Sequence, residues 1–400
     1  MTAPAALAPL PYHREVRDYL KANEPELWAW FTSAHAKENY AEELRLGLLK
    51  STYRLSPDSH PDLYQHAANA ARALGLAIPV FLYQAQSGSS EINAAIFYLP
   101  AEAHLVLSGP IASLLDPVEL TSVLGHELAH YHLWQVEKEE FLIADRILHA
   151  VTSDPQAGAV HHETARRYRL NTEIFADRGA AHVVQNLPKV VSALVKTTTG
   201  LASVDGDSYL VQAAEIFGKG AVRTDRLSHP ESFIRAHALA LWTRAGDAAD
   251  EAVSAIIAGE PDLCSLDLIG QQTLTALTRR FLSQLLRPTW FQSPAILGHA
   301  RLYFADFAPA EKPDDALIAE LHATGSLLDD YFAYLLLDFA HADRDLDDVP
   351  LAAALRWAEQ LGIAAQVEKL AQKELGVKPR ELAKLKPRIT DLLALAEKGV

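Results

Sequence analysis

Residues 116–134, DPVELTSVLGHELAHYHLW, constrain the chain more than any other stretch, because they specify a helix and commit one of its faces. Asp116 is a helix-capping residue, Pro117 suits a first turn, and Glu119 stands three residues past the cap, the spacing of a capping box. Further along come His126, Glu127 and His130, an HExxH motif. At about 100° per residue the two histidines project about 40° apart, and Glu127 falls within the same arc of about 100°. Leu124, Leu128 and Tyr131 point roughly the other way. One face is thus free to enter a core while the other presents two imidazoles and a carboxylate. These groups are half of a catalytic zinc site: two neutral nitrogen ligands and a base beside the position kept open for water.

With 17 histidines among 400 residues, such a motif arises by chance often enough that it needs a third ligand before it means anything. Glu173 and Asp177 lie four residues apart on the face of a second helix. A His-His-Glu zinc site takes its carboxylate from a separate element. It also needs an acceptor for the second N–H of a ligand imidazole. Glu173 as ligand and Asp177 as that acceptor meet both needs. Taken alone the pair would read as solvated helix charges; after an HExxH helix it reads as the other half of the site.

Composition narrows the class. Hydrophobic residues at 49% and charged residues at 22% describe a soluble globular protein, long enough for two or three domains. A formal charge of −15 argues against nucleic acid as a partner. The single cysteine, Cys264, excludes an intrachain disulfide and reads as a small core residue. The start, MTAPAALAPLPYHREV, has neither a basic n-region nor an apolar h-segment, and YFAYLLLDFA at 331–340 is too short to span a membrane and reads as a buried helix. No membrane span and a cytoplasmic location are expected.

In chain order, residues 13–55 carry helical patterns, and a helix follows His60 and Pro61. Three strand-like runs come next, at 79–84, 93–99 and 103–108, and predict a small antiparallel sheet just before the HExxH helix. That helix is expected to continue through VEKEEFLIADRILHAV to Pro155, and a second to run from about 159 to 187. Ser228, His229, Pro230 and Glu231 open another helix with capping-box spacing. Beyond 246 only helical patterns remain. The expected organisation is an N-terminal helical region over 1–58, a metal-site domain over 59–246 and an all-helical C-terminal domain over 247–400.

The segments NAAIF, LVLSGPI, ELTSVLGHELAH, EIFADRGAA and SHPESFIR, in this order, resemble the Ste24/HtpX zinc metallopeptidases of peptidase family M48. The resemblance implies an α+β fold: a mostly helical zincin-like core with a small sheet, here followed by the all-α domain. It implies Zn2+ on His126, His130 and Glu173, Glu127 as general base, and Asp177 hydrogen-bonded to a ligand. It also implies a histidine near the reacting carbonyl, His229, and an Asn-Ala strand, beginning at Asn93, at whose edge substrate binds. For His229 a second role stays open, that of merely opening its helix. The implied activity is zinc-dependent endopeptidase cleavage of peptides or unfolded proteins. The competing class is a non-catalytic zincin scaffold whose helical domain binds a partner protein; an intact Glu127 speaks against it. Oligomeric state is not legible.

Overall fold

The computed structural model describes residues 7–33, 40–86, 92–220, 222, 224, 228–259, 262–323 and 328–399. The stretch at 34–39, within the expected N-terminal helical region, lies outside the described residues. The chain divides between Glu260 and Pro261 into two compact units.

The first unit opens with helices α1 (Pro11–Asn23), α2 (Pro25–Thr32) and α3 (Tyr40–Ser51), then strand β1 (Thr52–Arg54) and helix α4 (Pro61–Ala73). Strands β2 (Val80–Ala85), β3 (Asn93–Leu99) and β4 (Glu102–Ser108) follow, then the short helix α5 (Ile111–Leu114) and the long α6 (Pro117–Thr152). The unit is completed by α7 (Ala159–Val184), α8 (Leu187–Thr199), α9 (Gly206–Gly218), α10 (Ser232–Ala245) and α11 (Asp250–Ala258). This is the mostly helical α+β class expected from the sequence.

The sheet is mixed, in the order β1-β2-β4-β3. β3 and β4 form an antiparallel hairpin, with Asn93 opposite Ser108 and Leu99 opposite Glu102. β4 lies between β3 and β2 and runs parallel to β2, with Val80 opposite Ala103 and Gln84 opposite Leu107. The three runs are therefore not antiparallel throughout, and a short fourth strand pairs antiparallel with β2. β3 is left as an outer edge. Ala103, Leu105 and Leu107 of β4 are fully buried in a core shared with Leu124, Leu128, Tyr131 and Phe175. The alternate residue Val106 packs with Tyr83 and with Leu48 of α3.

The N-terminus of α6 is locked as its sequence requires. Asp116 accepts from the backbone N–H groups of Val118 (2.9 Å) and Glu119 (3.0 Å), and Glu119 accepts from the Asp116 N–H at 2.9 Å. Buried Glu119 also accepts from Ser192 Oγ (2.8 Å) and Lys196 Nζ (2.7 Å), which ties the start of α6 to α8. α6 and α7 approach closely because small residues meet between them. A Cβ added at Gly179 would lie 2.2 Å from the Cβ of Ala129, and one at Gly125 would lie 3.1 Å from Val183.

α6 is not continuous. Val136 is extended, and Glu137, Lys138 and Glu139 take left-handed φ angles of 50°, 60° and 67°. Left-handed backbone costs a non-glycine residue about 1–2 kcal/mol, so this break needs support from outside the helix. Tyr98 of β3 donates to Glu139 at 2.9 Å, Arg17 of α1 pairs with Glu137, and Lys21 of α1 pairs with Glu140. After the break the helix lies against the first half of α7, where Tyr168 donates to the Phe141 carbonyl at 2.8 Å.

The second unit contains, among the described residues, eight α-helices from Leu268–Leu285 to Ile389–Glu397, with no strand. Its core gathers Phe281, Leu282, Phe332, Leu336, Phe339, Leu355 and Val367. The 331–340 run is a buried helix, and its Asp338 faces outward to accept from His299 Nε2 (2.6 Å) and Tyr303 (2.7 Å). Cys264 is exposed in a short 3-10 turn at Leu263–Ser265, which corrects its expected place in a core. Among the described residues no helix is long and apolar enough to cross a membrane.

Candidate active site

The close approach of α6 and α7 places Glu173 and Asp177 against the histidines of the HExxH helix. His126 Nε2 and His130 Nε2 stand 3.3 Å apart. Glu173 Oε2 is 3.5 Å from the first and Glu173 Oε1 3.6 Å from the second. Tetrahedral zinc with Zn–N bonds of 2.0–2.1 Å would separate two ligand nitrogens by about 3.3 Å. The three residues thus fit the ion, and among the described residues they are the only such group of metal-ligating side chains. Glu173 Oε2 is buried and accepts no hydrogen bond, as expected of an oxygen reserved for a ligand bond.

Neighbouring residues fix the orientation of these side chains. His126 Nδ1 lies 3.0 Å from Asp177 Oδ1. Donation from Nδ1 to that carboxylate leaves the Nε2 lone pair facing Glu173 and His130. Arg235 of α10 clamps the same carboxylate, through Nε at 2.7 Å and Nη2 at 2.6 Å. Its Nη2 also comes within 3.5 Å of Glu173 Oε2. His130 is held by packing instead: Trp134 stacks on its ring with centroids 5.7 Å apart and planes inclined by 29°. The His130 Nδ1 is buried without a hydrogen-bond partner.

Burial opposes a proton on His126, but Asp177 and Glu173 outweigh it and raise the metal-free imidazole to about 10, so a metal binding at Nε2 near neutral pH displaces a proton from it. His130, buried without such a partner, falls to about 4. Burial pushes Glu173 up as well, yet His126, Arg235 and His130 hold it well below the usual carboxylate range. Asp177 is likewise lowered against burial, by Arg235 and His126. Burial pushes Glu127 up to about 7, which the charges of His126 and Arg235 only partly counter and that of Glu173 reinforces. Its carboxylate has no hydrogen bond to the described residues and faces the cleft. A carboxylate with a pKa near the working pH is suited to taking and returning a proton.

The cleft has a volume of about 450 Å³. One side is the β3 edge from Asn93 to Ile96, and another is the apolar surface of Val190, Ala193 and Leu194 on α8. Asn93 is exposed at the start of β3, where its Oδ1 accepts from the Ala94 N–H at 2.9 Å. His229 sits on the rim with its side chain 60% exposed and its Nε2 3.6 Å from Glu173 Oε1. The expected capping box does not form there: Glu231 is the N-cap of α10, without a side-chain cap bond, and Ser228 Oγ is 3.0 Å from His229 Nδ1 instead.

All seven residues singled out in the sequence line this one cleft. Two contributors were missed, Trp134 and the role of Arg235. Trp134 carries a signal, since it continues the spacing of four set by His126 and His130, but an aromatic at that spacing reads equally as core. The Arg235 clamp depends on how α10 packs, which no local pattern reveals. His132, by contrast, is half-buried and stacks on Phe175, with nearly parallel rings 6.3 Å apart.

A comparison with protein families matches residues 57–243 to the family described as peptidase family M48. No curated protein and no solved structure matches the chain.

Proposed function

We propose, from the match of residues 57–243 to peptidase family M48, a family of metallopeptidases, that this chain is a zinc-dependent endopeptidase acting on peptides or unfolded segments of proteins. The observation that carries this reading is the coincidence of three metal-ligating side chains at zinc-like separations with a Glu127 carboxylate that has no hydrogen bond to the described residues, in the same cleft. Zinc on His126, His130 and Glu173 would supply a Lewis acid for the scissile carbonyl and bring the pKa of a water down to about 7. Glu127 takes a proton from the attacking water and passes it to the leaving amine. An extended substrate adds as a further strand along β3, with Asn93–Ile96 as its partner edge. His229, on the rim, directs an N–H at the carbonyl oxygen as charge builds there. Asp177 and Arg235 keep the His126 ring in the orientation that the metal needs.

A site serving structure alone would take a fourth protein ligand and have no use for a base. Glu127 therefore favours catalysis over a purely scaffolding role. The cytoplasmic location suggested by the sequence belongs to the same proposal. The test is metal analysis together with cleavage of unfolded casein by wild type and Glu127→Gln. One zinc in each, with turnover reduced by roughly 10²- to 10⁴-fold in the variant, is the expected result. Equal turnover would overturn the assignment of Glu127, and absence of zinc from both would overturn the metal site.

A further inference from the structure

The metal centre does not use every charge in the cleft. Arg169, Glu173 and Asp177 recur at intervals of four on α7, and all three line the cleft. Arg169 is therefore on the same face as the metal ligand, one helical turn or about 6 Å away. It is exposed, and it makes neither an ion pair nor a hydrogen bond with the described residues. The other cation of the lining, Arg235, is committed to Asp177. Glu127, Glu173 and Asp177 belong to the metal centre, which leaves Asp145, from the part of α6 beyond the break, as the remaining acid of the lining.

We propose that Arg169 is a specificity-determining residue of this cleft, selecting peptides with a carboxylate about two residues from the bond to be cut; this rests on the peptidase reading. An extended chain rises about 3.3 Å per residue, so one helical turn of α7 spans about two substrate residues. A guanidinium is always charged and presents a fork that matches a carboxylate. Asp145 does not reverse the sign. It is half-buried, burial pushes its pKa up, and Arg169, His149 and Arg146 counter that shift. A cation approaching Asp145 would meet Arg169 at the exposed surface. The formal charge of −15 repels acidic chains at long range, but that repulsion is screened beyond about 8 Å at physiological salt, so the selection acts locally.

The carboxylate can come from an Asp or Glu side chain or from a free chain terminus, and two peptide sets separate these sources. In the first, a single Glu, Gln or Lys is walked along a neutral ten-residue peptide. In the second, a neutral peptide ends as acid or amide two residues past the scissile bond. Each set is measured twice, for cleavage by wild type and for binding to zinc-loaded Glu127→Gln by fluorescence anisotropy. At one position Glu should bind about fivefold or more tightly than Gln, a modest figure because the guanidinium is exposed. The Glu-to-Gln ratio should fall to near one in Arg169→Ala, and Lys should become the preferred residue in Arg169→Glu. A preference for acid over amide, lost in the same variants, would assign the site to a chain terminus. Binding ratios unchanged by Arg169→Ala, or a lysine preference in the unsubstituted cleft, would overturn the inference whether or not cleavage is seen. A Glu preference without cleavage would retain Arg169 as a carboxylate site and remove the peptidase reading.

Discussion

Arg235 holds both carboxylate oxygens of Asp177, at 2.7 and 2.6 Å, and Asp177 in turn lies 3.0 Å from His126 Nδ1. The relay ties α10 through α7 to the HExxH helix, so the orientation of the His126 ring depends on a residue more than a hundred positions away in sequence. Asp177→Asn keeps the shape but removes the charge that Arg235 and the imidazole share. Metal affinity should fall by roughly 10- to 100-fold, with the fold intact by circular dichroism. A zinc dissociation constant equal to that of wild type would mean that Asp177 does not orient His126.

The contact between Gly179 and Ala129 sets the spacing on which the ligand geometry depends. Helix propensity alone favours Gly179→Ala by about 0.8–1 kcal/mol. Against that, the new Cβ would stand 2.2 Å from the Cβ of Ala129, too close to keep without moving one helix. Overpacking of this kind costs about 1–3 kcal/mol, so the clash should win. We expect a lower melting temperature and weaker zinc binding, with partial recovery of both in the double variant Gly179→Ala, Ala129→Gly. A Gly179→Ala protein as stable and as tightly metallated as wild type would show that the helices can separate without cost.

What was legible in the sequence was local. The Asp116–Glu119 capping box formed as its spacing required, and the intervals of four at His126/His130 and Glu173/Asp177 placed these four side chains on facing helix surfaces. What was not legible depends on distant partners. VEKE at 136–139 contains no glycine or proline, yet the chain turns left-handed there, supported by Tyr98, Arg17 and Lys21 from other elements. The parallel pairing of β2 with β4 follows from the hairpin folding back into the sheet, which strand patterns do not encode. At Ser228 and Glu231 the local signal misled, because the serine hydroxyl turns to His229 and the helix begins later.

His229 tests whether the rim takes part in chemistry. Its side chain is 60% exposed and coordinates nothing in the ligand set, so His229→Ala should leave zinc content and melting temperature close to wild type. A donor aimed at the oxygen that becomes charged is worth roughly 10²- to 10³-fold in kcat, with little change in KM. Normal kcat in the metallated variant would remove His229 from the mechanism.

His13 gives a prediction about acid stability that is independent of catalysis. It is fully buried; its Nδ1 accepts from the Leu10 N–H at 3.2 Å and its Nε2 lies 3.1 Å from Thr172 Oγ1. The rings of Tyr168 and Phe175 meet it edge-on at 5.0 and 6.2 Å. Burial, with Arg178 nearby, lowers its pKa to about 3 from the 6.5 of an exposed histidine. Below pH 6.5 the unfolded chain therefore binds a proton that the folded chain refuses. Stability from this site is complete above that pH and is lost as the pH falls towards 3, with a limiting slope of about 1.4 kcal/mol per pH unit for one proton. Gln in place of His13 offers a donor and an acceptor but does not titrate. Urea unfolding of wild type and His13→Gln, both stripped of metal, should show stability falling more steeply in wild type between pH 6.5 and 4.5. The variant's lower stability at neutral pH does not affect this comparison of slopes. Equal slopes in the two proteins would mean that His13 takes up its proton without unfolding the chain.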